Sequence, residues 1–285
     1  MKLNAALVSI LMLFVLFATG GCKKQAQLIE NDIQFSEFKL DTVCHLFNDT
    51  ARPGCDFRLS MQYPAVAKDD KLLKEIQQIF VESYLGAQYQ DEQPEQAARS
   101  YMKAYVDDYL QLEKDSSMFN RAIEEGWGLA SFNYEEISSA ELKFNAGGFI
   151  SYAISVYSFT GGAHGMNGTN NHVVNLQTKS LLSLSDLFPE NVLPEVGTLI
   201  IRQIAKDRNF TDPAQLNEDG FFSIEDVVPT DNFSIDEKGI TWVYNPYEIA
   251  VYATGQVAVF LDWTLVKPYL YEESPVMDLV RLSEK

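Results

Sequence analysis

The segment Tyr157–Phe188 constrains the fold of this chain more than any other. It starts at the end of an alternating apolar run, Phe149–Phe159, which predicts a long strand. Glycine-rich residues 161–168 follow, and a second strand is predicted over His172–Leu176. Because glycine adopts positive φ angles at little cost, this composition favours a sharp bend between two strands. We therefore expect the two strands to lie side by side around a glycine turn.

The rest of the chain mixes helical and strand patterns in irregular order. Apolar residues recur at helical spacing in Asp69–Leu85, Pro94–Lys114 and Leu193–Lys206, which predicts three amphipathic helices. This order predicts an α+β fold with mixed, mainly antiparallel sheets packed against a few helices. The other predicted strands are Phe35–Phe47, Phe57–Tyr63 (ended by Pro64), Trp127–Phe144 (broken near Glu135), Phe233–Ile235, Ile240–Tyr244 and Gln256–Leu261.

The N-terminal residues are typical of an export signal. The apolar run Ala5–Phe17 follows a lysine and is too short to span a membrane comfortably. The small residues Thr19–Gly21 directly before Cys22 resemble the lipobox of bacterial lipoproteins, whose cysteine becomes the lipidated N-terminus. A plain secretory signal with an incidental cysteine is the alternative. We expect a signal peptide over 1–21, a lipid anchor on Cys22 and a polar tether over 22–34. These features predict a protein held on a membrane of the bacterial cell envelope, outside the cytoplasm.

Charge restricts the class of partner. The chain has a net charge of −18 and the signal contributes one lysine and no acid, so the mature charge is −18 − 1 = −19. Such a chain repels phosphate backbones, which excludes nucleic acid as a partner. A cationic partner is compatible with this charge, and so is a simple contribution to solubility.

Two cysteines remain once Cys22 is assigned to lipid. Cys44 and Cys55 flank a turn-rich segment of an exported chain, a pattern that predicts a disulfide closing a hairpin. Metal binding would need more ligands than this segment offers.

The glycine turn carries His164, the residue that most resembles a catalytic group. A phosphate-binding loop would need a helix directly after the glycines and usually a lysine followed by Ser or Thr, but a strand follows here. A histidine base needs a nucleophile or substrate and an orienting group, and no Gly-x-Ser-x-Gly motif is present. The three histidines of the chain form no metal-binding pair. We therefore expect His164 to bond backbone carbonyls, and we predict no catalytic residue, metal or cofactor.

Aromatic and acidic residues offer further candidates. Tyr101, Tyr105 and Tyr109 form one stripe of a predicted helix; a sugar-stacking surface is conceivable, but helical spacing favours core positions. Tyr247 and Tyr252, near the rigid Asn-Pro turn, either face a ligand or plug the end of the sheet. With His164 they form the predicted set of binding residues.

Paired acids such as Glu135-Glu136 are the last candidates for chemistry. Neighbouring residues on a strand point to opposite faces of the sheet, so these two carboxylates do not form an acid/base couple. We expect both to be solvated.

Three motifs resemble a known family. They are Tyr157-Ser158-Phe159-Thr160-Gly161-Gly162-Ala163-His164, Leu182-Ser183-Leu184-Ser185-Asp186-Leu187-Phe188 and Asn245-Pro246-Tyr247-Glu248-Ile249-Ala250-Val251-Tyr252-Ala253-Thr254-Gly255. Together they are similar to the core of the bacterial DUF3298 family, and the earlier half resembles the DUF4163 module that commonly precedes it. The resemblance implies a DUF4163-like module over 35–160 and a DUF3298-like module over 161–285, packed as one unit.

The resemblance also implies a function. Related modules occur in lysozyme-sensing anti-sigma factors and before the catalytic domain of certain peptidoglycan deacetylases. This chain lacks the sigma-binding segment of the former and the metal-binding catalytic domain of the latter. We expect a non-catalytic envelope lipoprotein that binds a cationic, lysozyme-like protein or a cell-wall glycan. The alternative is an envelope hydrolase that acts on peptidoglycan or polysaccharide through a site near His164.

Overall fold

The computed structural model describes residues 28–114, 117–126 and 128–284. The predicted signal peptide, the proposed lipid site Cys22 and the first part of the tether lie outside these ranges. Within them, no helix has both the length and the apolar character needed to cross a membrane. Two sheets and several helices make up the fold, which confirms the α+β prediction.

A six-stranded mixed sheet is the largest element. Its strands are β1 (Ile33–His45), β2 (Gly54–Ala67), β3 (Tyr134–Ala146), β4 (Phe149–Phe159), β5 (Met166–Asn175) and β6 (Ser180–Leu181), and they lie side by side in chain order. Only β2 and β3 run parallel, because the connection between them holds the first helices of the chain. All other neighbours are antiparallel.

Helices from that connection cover one face of the sheet. They are α1 (Asp70–Leu85), α2 (Pro94–Leu110) and the short α3 (Ser117–Glu124). Asp69 starts α1 because its carboxylate accepts hydrogen bonds from the N–H groups of Lys71 and Leu72. The second predicted helix continues to Lys114, but its last turn is 3₁₀.

A smaller antiparallel sheet packs against the opposite face. It contains β7 (Phe233–Ile235), β8 (Gly239–Tyr244) and β9 (Val257–Asp262), and it is accompanied by α4 (Leu184–Leu187), α5 (Leu193–Asp207), α6 (Trp263–Val266) and α7 (Met277–Ser283). The buried hydroxyl of Ser151 on β4 donates to the carbonyl of Ile235 and accepts from its N–H, at 2.7 and 3.1 Å. These bonds join the two sheets at a fixed register.

Strand β4 contributes to the cores on both faces. Ile150, Tyr152 and Ile154 pack with the buried residues of α1 and α2, whereas Phe149 packs with those of the smaller sheet and α5. Both faces of β4 are therefore covered by apolar residues, and alternate residues of the strand belong to different cores. Its observed bounds are those predicted from the sequence.

Three predicted boundaries were wrong. Strand β2 continues through Pro64, because β3 pairs with β2 only over Cys55–Met61 and requires no N–H from the proline. Strand β3 is unbroken at Glu135 and starts only at Tyr134, after a 3₁₀ turn. Strand β5 begins at Met166, well before the expected start, so that Gly168 lies within it.

Candidate functional site

The glycine turn joins β4 to β5 and has a fixed geometry. Gly161 and Gly162 adopt φ angles of +92° and +103°, which L side chains rarely adopt. A Cβ atom on Gly161 would lie 2.2 Å from the carbonyl oxygen of Ser131, so the turn packs directly on the 3₁₀ segment before β3. A Cβ on Gly162 would meet no atom within 4 Å. Gly161 therefore allows the turn to approach Ser131 closely, whereas Gly162 is required only for its positive φ angle.

Three aromatic rings from distant parts of the sequence lie next to each other beyond this turn. The rings of His164 and Tyr252 are stacked, with centroids 4.5 Å apart and an interplanar angle of 27°. The ring of Tyr247 lies against the same tyrosine at 5.5 Å. We call His164, Tyr252 and Tyr247 the ring stack. The structure thus brings together the three residues that the sequence suggested as a binding set.

One backbone carbonyl orders two of these rings. The carbonyl oxygen of Gly165 lies 3.0 Å from Nδ1 of His164 and also accepts a 3.0 Å hydrogen bond from the hydroxyl of Tyr252. A carbonyl can only accept, so Nδ1 of His164 carries the proton. In the neutral ring, Nε2 of this exposed histidine is then an acceptor.

Tyr247 is held at the outer end of the ring stack by its loop. It has a φ of +73°, and its side chain is 51% exposed. Asn245, two residues before Tyr247, donates its backbone N–H to the carboxylate of Glu248 at 3.0 Å. This closed turn fixes the ring in a position where it is open to solvent.

The same asparagine attaches the loop to the larger sheet. Oδ1 of Asn245 accepts from the N–H of Thr169 at 2.7 Å, and its Nδ2 donates to the Thr169 carbonyl at 3.1 Å. Asn232 makes an analogous pair of contacts with the N–H of Asn171 and the carbonyl of Thr169. Two side-chain amides thus satisfy the edge of β5, where β6 pairs only with its last two residues.

Two further exposed apolar residues lie on the segments around Tyr247. Phe222 and Val251 are 47% and 41% exposed, and their segments are joined by hydrogen bonds from Phe222 N to Ile249 O and from Val251 N to Gly220 O. We call these two residues together with the ring stack the loop surface. Exposed acidic side chains accompany it on the same segments, namely Glu218, Glu225, Asp226 and Glu248.

A groove lies beside the glycine turn, on the side of α3. Its volume is about 630 Å³. The residues that line it are Leu112, Met118, Arg121, Ala122, Glu125, Ser131, Phe132, Tyr134, Thr160, Gly161 and Gly162, and we call it the α3 groove. Gly161 and Gly162 at the start of the glycine turn therefore line the α3 groove, whereas His164, later in the turn, belongs to the ring stack.

The hydrogen-bond partners of His164 bear on the hydrolase alternative. Its Nδ1 faces a carbonyl rather than an orienting carboxylate, and Nε2 has no partner among the described residues. Nor does the described part of the chain contain a group of three or more residues that could hold a metal ion.

Glu136 was missed by the sequence argument. It is only 5% exposed, and its carboxylate accepts a 2.8 Å hydrogen bond from the hydroxyl of Tyr101. Burial raises the pKa of Glu136, and the Tyr101 hydrogen bond partly opposes that effect. The prediction of a solvated side chain was wrong, because Glu136 faces the helices from a strand flanked on both sides. Only Glu135 points away from the helices, and it lies 4.0 Å from Arg58.

The tyrosine stripe of α2 belongs to the core and its edge. Tyr109 is buried, and the rings of Tyr101 and Tyr105 lie 5.9 and 5.4 Å from Phe57 on β2. Burial raises the pKa of all three tyrosines. The core interpretation of this stripe is confirmed.

Cys44 and Cys55 face each other across β1 and β2, where they are direct register partners. Both are free thiols in the structure, so the predicted disulfide is not observed. Burial raises the pKa of the Cys55 thiol to about 12, with a further contribution from Cys44. The predicted hairpin is present, but its two sulfur atoms are not bonded.

Two segments of the chain match family models. Residues 185–264 match DUF3298, described as a protein of unknown function, and residues 56–167 match the family described as deacetylase PdaC. The DUF3298 match includes Tyr247 and Tyr252, and the PdaC match includes His164. The DUF4163 part of the resemblance and the exact module bounds stay predictions.

Two solved structures are similar to this chain over most of their length. A DUF3298 family member from Bacteroides fragilis is similar with a TM-score of 0.81 and 27% identity, over 89% of this chain and 99% of that one. A DUF3298 family protein from Pseudomonas aeruginosa has a TM-score of 0.53 and 13% identity, over 85% and 96% of the two chains, and indicates a shared fold only. No curated protein gives a significant match.

Proposed function

We propose that this chain is a non-catalytic binding module of the bacterial cell envelope, and that its loop surface binds a cationic, lysozyme-like protein. The observation that carries the proposal is the ring stack together with the exposed apolar residues Phe222 and Val251 on the adjoining segments. Large apolar groups that are nearly half exposed are typical of interaction sites when they lie together.

Charge supports a basic partner. The net charge is −18, and four exposed carboxylates lie on the segments that carry the loop surface. Opposite charge accelerates encounter, and its effect decreases with salt because exposed charges are screened over about 10 Å at 0.1 M. An apolar centre and acidic surroundings match a partner whose contact residues combine aromatic or aliphatic groups with Lys or Arg.

A cell-wall glycan is the second candidate ligand, and the ring stack is the observation that favours it. The exposed ring of Tyr247 offers a flat apolar face for a sugar ring. In the neutral ring, Nε2 of His164 is an acceptor for a sugar hydroxyl, since Nδ1 donates to the Gly165 carbonyl. Neither feature requires a charged ligand. The hydrolase alternative has no comparable support from the surroundings of His164.

We further propose that the mature chain is a lipoprotein anchored through Cys22. The proposal rests on the apolar run and the small residues before that cysteine. In cells labelled with a fatty-acid analogue, the wild-type chain should incorporate label and sediment with membranes. Cys22→Ser should lose both properties. Membrane association that persists without label in this variant would contradict a lipid anchor.

The ligand proposal is tested by titrating the purified chain with lysozyme and with a neutral N-acetylglucosamine oligomer. We expect saturable binding of lysozyme whose association rate falls as salt is raised from 20 to about 150 mM. Tyr247→Ala should weaken binding by at least tenfold, as expected for an aromatic residue at the centre of an interface. Tyr271→Ala is the matched control, because Tyr271 is 43% exposed but lies outside the loop surface.

Each outcome discriminates between the candidates. Binding of the oligomer alone, weakened by Tyr247→Ala, would replace the protein ligand by a glycan. Equal effects of Tyr247→Ala and Tyr271→Ala would remove the loop surface from the proposal. If neither probe binds, this partner class is wrong.

A further inference from the structure

The α3 groove has the chemistry of a second ligand site, separate from the loop surface. We propose that it binds the C-terminal end of a short peptide, with the terminal carboxylate at Arg121 and an apolar side chain on the groove floor. This inference goes beyond the proposed function, because it concerns a different concave surface and a different chemical class of ligand.

Size and lining are those of a ligand site. A volume of about 630 Å³ lies within the range of roughly 300–1,000 Å³ for small-molecule pockets. The floor is apolar, since Ala122 and Phe132 are buried and Leu112 is partly buried. Met118 on α3 lies at the rim and is 36% exposed. The floor and rim together offer space for one apolar side chain.

The groove walls are fixed before any ligand binds. The rings of Phe119 and Phe132 lie 4.7 Å apart and join α3 to the 3₁₀ segment before β3. The hydroxyl of Ser131 donates to the carbonyl of Gly128 at 2.9 Å, which orders the same segment. Gly161 packs on the Ser131 carbonyl so closely that a Cβ would not fit. A preformed site of this kind binds a ligand without a large ordering cost.

The polar groups of the groove select the ligand. Arg121 and Glu125 both line it and are exposed, and neither forms an ion pair within the residues that the structure describes. A guanidinium presents a planar set of donors that fits a carboxylate in bidentate geometry. The carboxylate of Glu125, one helical turn away, is an acceptor for an amide N–H.

Gly162 adds an open backbone to the same surface. Its N–H donates to no residue in the described ranges, and the space beside its Cα is empty. An extended peptide could therefore approach this backbone without a steric conflict. A ligand that satisfies all these groups contains one carboxylate, at least one amide N–H and an apolar side chain, which is the composition of a peptide C-terminus.

Other ligand classes satisfy fewer of these groups. A phosphate or sulfate dianion would be repelled by Glu125 and would leave the apolar floor empty. A neutral sugar would not use the charge of Arg121. A peptide amide would lose the guanidinium pair but keep the apolar contact, and it therefore provides the most informative comparison.

The test uses the full chain, purified in detergent, and two probes. N-acetyl-Ala-Phe with a free carboxylate is compared by calorimetry with the same peptide as its C-terminal amide. We expect the acid to bind at least tenfold more tightly than the amide. Arg121→Gln should remove this preference, whereas Arg202→Gln, an exposed arginine on α5 outside the groove, should retain it.

A second variant examines the apolar part. Met118→Trp adds bulk at the exposed rim without altering the buried floor, and it should weaken both probes. Retention of the wild-type fold is checked by circular dichroism, and Tyr247→Ala should leave peptide binding unchanged, which separates this site from the loop surface. The proposal is overturned if neither peptide binds, if acid and amide bind equally, or if Arg202→Gln has the same effect as Arg121→Gln.

Discussion

The hydroxyl of Tyr101 donates a 2.8 Å hydrogen bond to the carboxylate of Glu136, a charged group buried beneath α2 on strand β3. Because burial raises the pKa of this carboxyl group, the folded state holds its proton more tightly than the unfolded chain does. The stability that the protonated Glu136 contributes to the folded state is fully present below the pKa of this group in the unfolded chain. It is lost as pH rises through the interval between the unfolded and the folded values.

The first prediction follows from that relationship. Glu136→Gln removes the titrating group but keeps a carbonyl oxygen that accepts from Tyr101. Relative to the wild type, the variant should gain unfolding free energy as pH rises from 4 to 8, as measured by urea denaturation. Tyr101→Phe should instead cost about 1.5–3 kcal/mol at pH 7, because a buried carboxylate loses its donor. If the difference in unfolding free energy between Glu136→Gln and the wild type does not change with pH, Glu136 does not have a raised pKa in the folded state.

His172 titrates in the opposite sense. Burial lowers the pKa of His172 from 6.5 to about 4, and its ring lies 5.3 Å from that of Tyr152. Stability from the neutral ring is present above pH 6.5 and is lost as pH falls towards 4, by roughly 3 kcal/mol. His172→Phe keeps an aromatic ring and should lose this part of the acid sensitivity. The exposed His164→Gln is the control, and an equal effect of both variants on the pH profile would argue against a buried neutral His172.

The two glycines of the β4–β5 turn provide a matched pair. Both have positive φ, so either alanine variant costs about 1–3 kcal/mol in backbone strain. Gly161→Ala also places a Cβ atom 2.2 Å from the carbonyl oxygen of Ser131, whereas Gly162→Ala meets nothing. We expect Gly161→Ala to be clearly the more destabilising in thermal and urea unfolding. Equal costs would mean that the close approach of the turn to Ser131 is not important for stability.

The spacing of apolar residues in the sequence predicted those strands and helices that bury an apolar face of their own. The alternation of Phe149–Phe159 gave both ends of β4, and the helical stripe of Leu193–Lys206 gave α5 to within one residue. The first half of β5 was missed because its edge is satisfied by Asn232 and Asn245, which lie 61 and 76 residues away from their partners in sequence. The spacing of residues within one segment cannot predict contacts with residues so far away in the sequence.

The candidate site shows the same division. His164, Tyr247 and Tyr252 were each identified from their own turns, but only the fold reveals that their rings form one stack. The sequence argument placed Glu136 at the surface. The alternation of a strand shows which face of the sheet a side chain points to, but it does not show whether a helix packs on that face. Its burial depends on α2, which packs there through tyrosines of the same stripe.

The cysteine pair gives a prediction about oxidation. Cys44 and Cys55 are register partners on adjacent antiparallel strands. The Cα atoms of such partners lie about 4.5–5.5 Å apart, within the range that a disulfide requires. Mild oxidation of the purified chain should therefore join them, with a stabilisation of about 3 kcal/mol for so short a loop, less any strain. Peptide mapping by mass spectrometry with and without reductant detects the bond. Two free thiols after oxidation, with no change in unfolding, would contradict the prediction.

The last prediction concerns the amide that attaches the Tyr247 loop to the sheet. Asn245 both accepts from and donates to the backbone of Thr169, at 2.7 and 3.1 Å. Asn245→Ala leaves both backbone groups without these partners and should cost about 2 kcal/mol. Asn245→Asp retains the acceptor, but at neutral pH its carboxylate faces the Thr169 carbonyl and the carboxylate of Glu248.

Acidification separates the two variants. A protonated aspartic acid regains one donor, so Asn245→Asp should recover stability relative to the wild type below about pH 4, whereas Asn245→Ala should not. Hydrogen exchange of the Thr169 amide provides a local measurement, since its protection should fall in Asn245→Ala and partly return in acidified Asn245→Asp. Asn170→Asp, on the same strand with an exposed side chain, is the control and should change neither quantity by more than about 0.5 kcal/mol. If protection of Thr169 is the same in all three variants, the loop is attached by other contacts, and the position of Tyr247 does not depend on this amide.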